Sequence, residues 1–277
     1  MRLAIRWLVV TTFLQLALGL VGGGQLWSGR KALLFNGGGI FFWWQAGFCQ
    51  FCLEQGFVKD ALFSDIKVIG TSAGALSAAL LASGADFRKA ADFAIYQSKR
   101  DKIIESKRLA FVWGGIVEEW LNELLPSESQ LLFQNTFITA TPADLFKGVR
   151  QDVLSNFHSK EDVVQACMAS VHIPFFMDTR PCRKVGPDKW YIDGSFWPFV
   201  LGDDMFNACA AGPTANELFP ADQILNVDWR NDEIFAAQVR EGFTTMISPD
   251  RVFDMMDAGY AYAASLNKNP STSSLIV

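Results

Sequence analysis

The chain has 277 residues and a formal net charge of −5, from 24 basic and 29 acidic residues. It contains no run of basic residues, so we do not expect the phosphate-driven attraction that dominates nucleic-acid binding. Half of the residues are hydrophobic, and the length suits one sizeable α/β unit with a deep core. Most of the nine Trp and 24 Phe residues are expected in that core.

The N-terminal segment differs from the rest of the chain. Arg2 and Arg6 precede an almost purely apolar run at residues 7–21, and small residues follow at 22–24. This pattern is typical of a secretory signal peptide or a short signal anchor, although the run is shorter than the about 20 residues that span a bilayer. We therefore assign residues 1–27 to a signal peptide or anchor, with burial as the first element of the domain as the alternative.

The next feature is a glycine-rich loop. Residues 31–35 are predicted to form a buried strand, and three glycines at 37–39 follow it before a long apolar helical segment. Backbone N–H groups of such a loop can point into one concavity that holds an anion. The spacing does not match the known phosphate-binding patterns. An oxyanion hole for acyl transfer, formed by the N–H groups of Gly38, Gly39 and Ile40, fits better.

A candidate nucleophile follows the next strand. The sequence Gly-Thr-Ser-Ala-Gly at 70–74 lies between a β-branched run and a series of good helix formers, a pattern that predicts a sharp strand-to-helix turn. Gly70 and Gly74 keep the turn small, so that the hydroxyl of Ser72 is exposed at its tip. The pattern predicts that Ser72 is a nucleophile, with a purely structural turn as the alternative.

The serine needs a base, because a neutral hydroxyl is a weak nucleophile. The two histidines are better explained by structure: His158 precedes a helix that Ser159 is expected to cap, and His172 lies at the end of that helix. Asp193 is the stronger candidate, because it ends an aromatic strand at residues 189–192 and precedes a glycine. A solvated Asp-Gly turn is the alternative interpretation.

The glycine loop, the Ser72 turn and the Asp193-Gly pair, in this order, resemble the motifs of the patatin-like phospholipases. Residues 157–166 and 173–176 also resemble the stretch that precedes the aspartate in the branch of adipose triglyceride lipase and adiponutrin. The resemblance implies a three-layer α/β fold, with a mostly parallel central sheet and helices on both faces, as the alternation of strands and helices also predicts. It further implies a Ser–Asp dyad without histidine, and no cofactor or metal.

Two positions depart from that family pattern. Phe42 stands where this branch has a glycine, and the loop lacks the basic residue that many members carry. Ser195 follows the Asp-Gly pair, where glycine or alanine is usual. A catalytically impaired homologue that binds lipid droplets or membranes therefore remains an alternative to an active enzyme.

The resemblance implies a lipid acyl hydrolase that acts on triacylglycerol, with phospholipid as the alternative substrate. Its lipid substrate would lie at a membrane or lipid-droplet surface, and the protein would associate with the endoplasmic reticulum and droplets or enter the secretory pathway. We expect residues 28–267 to form the hydrolase domain and residues 268–277 a polar tail. The sequence identifies no protein activator.

The remaining patterns are conventional. Cys49 and Cys52 lie in an apolar helical stretch without other metal-binding residues nearby, so they are expected to be buried free thiols. Further strands are predicted over residues 134–139 and 223–227. Helices are predicted over residues 118–125 and from Pro249 onward, where a stripe of apolar residues is expected to pack on the core.

Overall fold

A mixed, mostly parallel sheet forms the centre of the computed structural model, which describes residues 30–56, 66–106, 109–127, 134–144, 150–196 and 217–268. Across the sheet the strand order is β5-β6-β3-β2-β1-β7, with β4 also paired to β3. Strands β1, β2, β3 and β7 are parallel to one another, whereas β4 and β6 run antiparallel to β3. The strands are β1 (Ala32–Phe35), β2 (Lys67–Thr71), β3 (Thr136–Pro142), β4 (Asp152–Leu154), β5 (Arg183–Val185), β6 (Lys189–Ile192) and β7 (Ile224–Val227).

Helices follow most of the strands, as the alternating sequence pattern predicts. Short 3₁₀ turns occur at Gly39–Phe41, Ala221–Gln223 and Trp229–Asn231. Within the described ranges, no helix is both long enough and apolar enough to cross a membrane. The helices are α1 (Phe42–Glu54), α2 (Ala73–Ser83), α3 (Phe87–Arg100), α4 (Ile103–Ser106), α5 (Trp113–Leu124), α6 (Lys160–Ser170), α7 (Glu233–Gln238) and α8 (Pro249–Lys268).

Both faces of the sheet are buried. Leu33 and Phe35 of β1 point into the main core, which the helices α1, α2 and α8 share. Because side chains alternate along a strand, Ala32 and Leu34 point to the opposite face, where they form a second apolar cluster with Ile69 and others. Burial on both faces explains the almost continuously apolar strands and agrees with the predicted three-layer α/β class.

Two predicted elements differ in their bounds. The strand predicted over residues 134–139 is β3, which continues to Pro142. The helix predicted over residues 118–125 begins earlier, at Trp113, and ends at Leu124. Leu125 is extended because it lies directly before a proline, which disfavours the helical conformation.

Other predictions are confirmed where the structure describes them. Cys49 and Cys52 are buried and free. In α8, Val252, Met255 and Met256 are buried against the core. This helix includes Lys268, which we had assigned to the polar tail, while residues 269–277 and the predicted N-terminal segment 1–27 lie outside the described ranges.

Candidate active site

Ser72 occupies a strained turn between β2 and α2. Its backbone has φ 50° and ψ −125°, a conformation that residues with a side chain rarely adopt. The turn is held from outside, because the Ser72 N–H donates to Ser170 Oγ at 2.8 Å, and Ser170 Oγ donates to the Thr139 carbonyl at 2.7 Å. Ser170, the last residue of α6, thus fixes the backbone of the candidate nucleophile.

The two glycines that flank the serine are required by close packing. A Cβ on Gly70 would lie 2.2 Å from the Gly74 carbonyl oxygen, and a Cβ on Gly74 would lie 2.1 Å from the Phe35 carbonyl oxygen. Neither glycine has positive φ, whereas Ser72 does. The strained backbone conformation of the motif is therefore at the serine. The two glycines allow β1, β2 and α2 to pack close together.

Asp193 is the hydrogen-bond partner of the Ser72 hydroxyl. Ser72 Oγ donates to Asp193 Oδ2 at 2.6 Å, a distance typical of a charge-assisted O–H···O bond. The other carboxylate oxygen, Oδ1, accepts from the Ser195 N–H at 2.7 Å. The backbone N–H of Asp193 donates to the His172 carbonyl at 2.8 Å. These contacts fix the carboxylate so that one oxygen is turned toward the serine.

Strand β6 brings Asp193 to Ser72 from the opposite direction. Ser72 follows Thr71, which is level with Thr139 in the register of β2 and β3. Strand β3 continues past Thr139 to Pro142. Strand β6 pairs antiparallel with this last part of β3, and Ile192 lies opposite Thr141. Asp193 therefore reaches the carboxyl edge of the parallel strands on a strand that runs back toward that edge.

Burial makes Asp193 a better proton acceptor than an ordinary carboxylate. The side chain is 3% exposed, and burial raises its pKa to about 6, although hydrogen bonds from Ser72 and Ser195 act in the opposite direction. A general base is most effective when its pKa lies near the working pH. Near neutral pH this carboxylate is therefore ionised. It accepts a proton more readily than the carboxylate of a solvated aspartate would.

The glycine loop lies against Ser72. A Cβ on Gly37 would lie 3.2 Å from Ser72 Cβ, which shows how closely the loop backbone approaches the serine. Gly39 has φ 55°. The N–H of Ile40, which we had grouped with the oxyanion donors, donates to the Phe243 carbonyl at 2.9 Å. That bond leaves Gly38 and Gly39 as the loop's candidate donors.

Ala73 adds a candidate oxyanion donor that the sequence analysis missed. It is the first residue of α2, and helix geometry leaves the first N–H groups without acceptors inside the helix. The N–H of the residue after a nucleophilic serine often serves this purpose in related turns. The Gly-Thr-Ser-Ala-Gly motif at residues 70–74 could have indicated this donor, because Ala73 directly follows the serine.

Gln45 connects the glycine loop to the helix behind Ser72. Its Nε2 donates to the Asn36 carbonyl at 2.7 Å, and its Oε1 accepts from Ser77 Oγ at 2.7 Å. Gln45 and Ser77 are both buried. The two halves of the site are therefore joined by a satisfied polar link inside the apolar core, which no local sequence pattern indicates.

Neither histidine ring is hydrogen-bonded to Ser72 or Asp193 in the described part of the chain. The N–H of His158 donates to Asp162 Oδ2, and Ser159 and Asp162 form the predicted capping box at the start of α6. His172 is buried, with Nε2 3.0 Å from the Arg180 carbonyl oxygen. Burial lowers the pKa of His172, which favours the neutral ring. His172 is hydrogen-bonded to Asp193 through its backbone, because its carbonyl accepts the Asp193 N–H.

An apolar cavity opens beside Ser72. Phe42 is buried in its wall, with its ring edge-to-face with Trp120 at 5.4 Å and with Trp43 at 4.9 Å. Phe42 begins α1 in a regular helical conformation, and its side chain fills this wall. Residues from six helices and from the loops between them share this lining, including Ile40, Leu76, Ile95, Trp113, Val171 and Phe176.

Comparison with known families agrees with this geometry. A family model described as patatin-like phospholipase matches residues 33–200, which include the glycine loop, the strained serine and the buried aspartate. No curated protein matches the chain. The family model supports lipid acyl hydrolysis in general and does not distinguish the branch that the sequence resembles. With more than half of its length matched, the chain belongs to the patatin-like phospholipase family.

Proposed function

We propose that this protein is a carboxylic ester hydrolase that removes fatty acyl groups from lipids through a dyad of Ser72 and Asp193. The observation that carries the proposal is the 2.6 Å hydrogen bond from Ser72 Oγ to Asp193 Oδ2 at the wall of an apolar cavity. A serine with an adjacent fixed base is the arrangement that activates a hydroxyl for attack on an ester. The cavity supplies an apolar site for the acyl chain.

In the first half of the reaction, Ser72 Oγ attacks the ester carbonyl carbon while Asp193 Oδ2 takes the hydroxyl proton. The carbonyl oxygen becomes an oxyanion, and we assign its stabilisation to the N–H groups of Gly38, Gly39 and Ala73. As the tetrahedral intermediate collapses, Asp193 gives the proton to the leaving alcohol oxygen and the acyl group stays on Ser72. A water molecule, deprotonated by the same carboxylate, then attacks the acyl carbon and releases the fatty acid.

A neutral lipid is the substrate that the cavity favours. Among the described residues that line it, none carries a charged side chain, so there is no cation to hold a phosphate group. This agrees with the resemblance to the branch of adipose triglyceride lipase. We therefore propose triacylglycerol as the substrate, and phospholipid as the alternative that the same dyad could hydrolyse.

Exposed apolar side chains beside the cavity support action at a lipid surface. Phe111 and Phe175 are 57% and 58% exposed, and the neighbouring Val112 is exposed as well. The two loops touch, because the Phe111 N–H donates to the Phe176 carbonyl at 2.7 Å, and Phe176 lines the cavity. Large exposed aromatic side chains are unfavourable in water and favourable at a bilayer or droplet interface.

The cellular location is also a proposal. The charged and apolar segment at residues 1–27 is consistent with delivery to the endoplasmic reticulum, from which droplet association or secretion could follow.

Labelling with a fluorophosphonate tests the nucleophile without requiring the correct lipid. We expect the wild-type protein to be labelled and Ser72→Ala to remain unlabelled. Release of oleate from trioleoylglycerol emulsions and from phosphatidylcholine vesicles then ranks the two substrates. A folded wild-type protein that is neither labelled nor active would favour the impaired lipid-binding homologue.

The interface proposal has its own experiment. Replacing Phe111 and Phe175 by Ser should lower hydrolysis of emulsified triacylglycerol while leaving hydrolysis of a soluble short-chain ester nearly unchanged. Replacement of Ile234, which is 76% exposed on α7, is the matched control. Equal losses on both substrates would show that the two phenylalanines do not act through the interface.

A further inference from the structure

One buried polar atom at the cavity wall lacks a partner. Gln97 on α3 has no exposed surface and lines the same cavity as Ser72. Within the described part of the chain, its Oε1 has no hydrogen-bond donor. Buried polar atoms in proteins are nearly always hydrogen-bonded, so an unpartnered one in a binding cavity indicates that a ligand or water supplies the missing group.

The orientation of the Gln97 amide is fixed by its other end. Gln97 Nε2 donates to the Ile116 carbonyl oxygen at 3.3 Å. The pKa of Glu119 lies below its ordinary value, first because of hydrogen bonds from Arg100 and to a smaller extent because of one from Gln97. Rotating the amide by half a turn would place its oxygen against these acceptors. The unpaired end is therefore an acceptor, and it requires a donor.

We infer that Gln97 Oε1 accepts a hydrogen bond from a hydroxyl group on the acyl chain of the substrate. The inference rests on the proposed function and adds to it the class of acyl group. Ester oxygens cannot satisfy Gln97, because they are acceptors, and an unsubstituted chain offers only C–H groups. A charged donor does not fit either, because none of the described residues that line the cavity carries a charge to compensate it.

A hydroxylated acyl chain should therefore bind more favourably than a plain chain. A plain chain leaves the Gln97 oxygen without a partner, whereas a hydroxyl at the matching depth supplies the missing hydrogen bond. The preference should depend on the position of the hydroxyl along the acyl chain, because the hydroxyl must reach Gln97 on α3 while the ester carbon lies at Ser72. Gln97 is on this view a specificity-determining residue.

The experiment compares p-nitrophenyl stearate with a series of p-nitrophenyl hydroxystearates that carry the hydroxyl at successive positions. We expect one position, or two adjacent ones, to raise kcat/KM over stearate by about threefold to tenfold, the range that one hydrogen bond provides. In Gln97→Leu that ratio should fall to one or below. Gln165→Leu, which alters a glutamine on α6 that bonds to Glu161, should keep the wild-type ratio.

The readout is a ratio within each variant, so a general loss of activity in Gln97→Leu does not affect it. If Gln97→Leu does not fold, the wild-type series alone decides. Equal kcat/KM for stearate and every hydroxystearate would overturn the inference and would indicate that an ordered water satisfies the oxygen.

Failure of the proposed function gives a different result, namely the absence of Ser72-dependent hydrolysis of every ester. Binding still tests Gln97 in that case. Quenching of the cavity tryptophans, which include Trp43, Trp113 and Trp120, reports fatty acid binding to Ser72→Ala. Tighter binding of one hydroxystearate than of stearate, lost in the Ser72→Ala, Gln97→Leu double variant, would support the inference. Equal affinities would overturn it.

Discussion

Ser170 Oγ accepts the backbone N–H of Ser72 at 2.8 Å, so a side chain from the end of α6 holds the strained turn that presents the nucleophile. Asp193 and Ser170 also belong to one network, because the N–H of Gly194 donates to the Ser170 carbonyl at 3.0 Å. Ser170 thereby positions both partners of the proposed dyad.

Ser170→Ala should lower both stability and turnover. The Ser72 N–H loses its acceptor, which costs about 1–3 kcal/mol in the free energy of unfolding. If about 1.4 kcal/mol of that positioning is also lost in the transition state, kcat falls about tenfold while KM changes little. Thermal unfolding and ester hydrolysis measure the two effects. Ser83→Ala, which removes a hydroxyl that bonds within α2, is the control and should retain kcat.

Asp193→Asn should lower turnover by about 10²–10⁴-fold, the usual cost of removing a general base. His158→Gln and His172→Gln should cost much less, because neither ring contacts Ser72 or Asp193 in the hydrogen bonds that the structure shows. Hydrolysis rates of the three variants make the comparison. A histidine variant as inactive as Asp193→Asn would contradict a dyad.

The buried carboxylate should couple activity and stability to pH in opposite directions. Activity should rise as the pH passes through about 6, because the base must be ionised. In the folded protein Asp193 has a higher pKa than in the unfolded chain, so the folded state binds the proton more tightly. This contribution stabilises the fold at low pH and is lost as the pH rises through about 6.

The shift from 3.8 to about 6 corresponds to about 3 kcal/mol. The stability of Asp193→Asn relative to the wild type should therefore be higher at about pH 8 than at about pH 4 by most of that amount, because pH 4 lies just above the ordinary pKa of the carboxyl in the unfolded chain. Chemical denaturation at the two values measures the difference. A difference that does not change with pH would argue against a raised pKa.

Phe42→Gly should destabilise the protein without activating it. The ring is 5% exposed and packs on Trp43 and Trp120, so its removal should cost about 3–5 kcal/mol. Phe42→Leu keeps most of the volume and should cost less. Thermal midpoints and esterase rates of both variants test this expectation. An inactive wild type and an active Phe42→Gly would instead show that the phenylalanine disables the loop.

Gly39→Ala should disturb the oxyanion loop. The alanine would have φ near 55°, and its Cβ would lie 2.1 Å from the Phe243 carbonyl oxygen, so the Ile40–Phe243 hydrogen bond could not persist unchanged. Loss of one oxyanion donor lowers kcat by about 10²–10³-fold. Gly115→Ala is the control, because a Cβ there meets no atom within 4 Å and α5 should tolerate it. Wild-type kcat in Gly39→Ala would exclude this loop from the oxyanion hole.

The catalytic candidates were predictable because each belongs to a short local pattern. Ser72 follows a strand and precedes helix formers within one pentapeptide, and its strained turn follows from that arrangement. Asp193 ends a recognisable strand. The fold class followed similarly from strands and helices that alternate along the chain.

The supporting contacts were not predictable in the same way. Gln45, Ser170 and Phe243 act through partners that are far from them in sequence, such as Ser77 for Gln45 and Ile40 for Phe243. Nothing local distinguishes these residues from others that pack in a core. The direction of β6 was also missed, because strand composition carries no information on which neighbour a strand pairs with or in which sense.

The antiparallel approach of β6 has a consequence for the order in which the protein acquires its active site during synthesis. Ser72 follows β2, in the first part of the domain. Asp193 is 121 residues further along and arrives only when β6 pairs with the end of β3. A nascent chain that ends before β6 would contain the candidate nucleophile without its base. Such a chain should therefore be unable to cleave lipid until the domain is nearly complete.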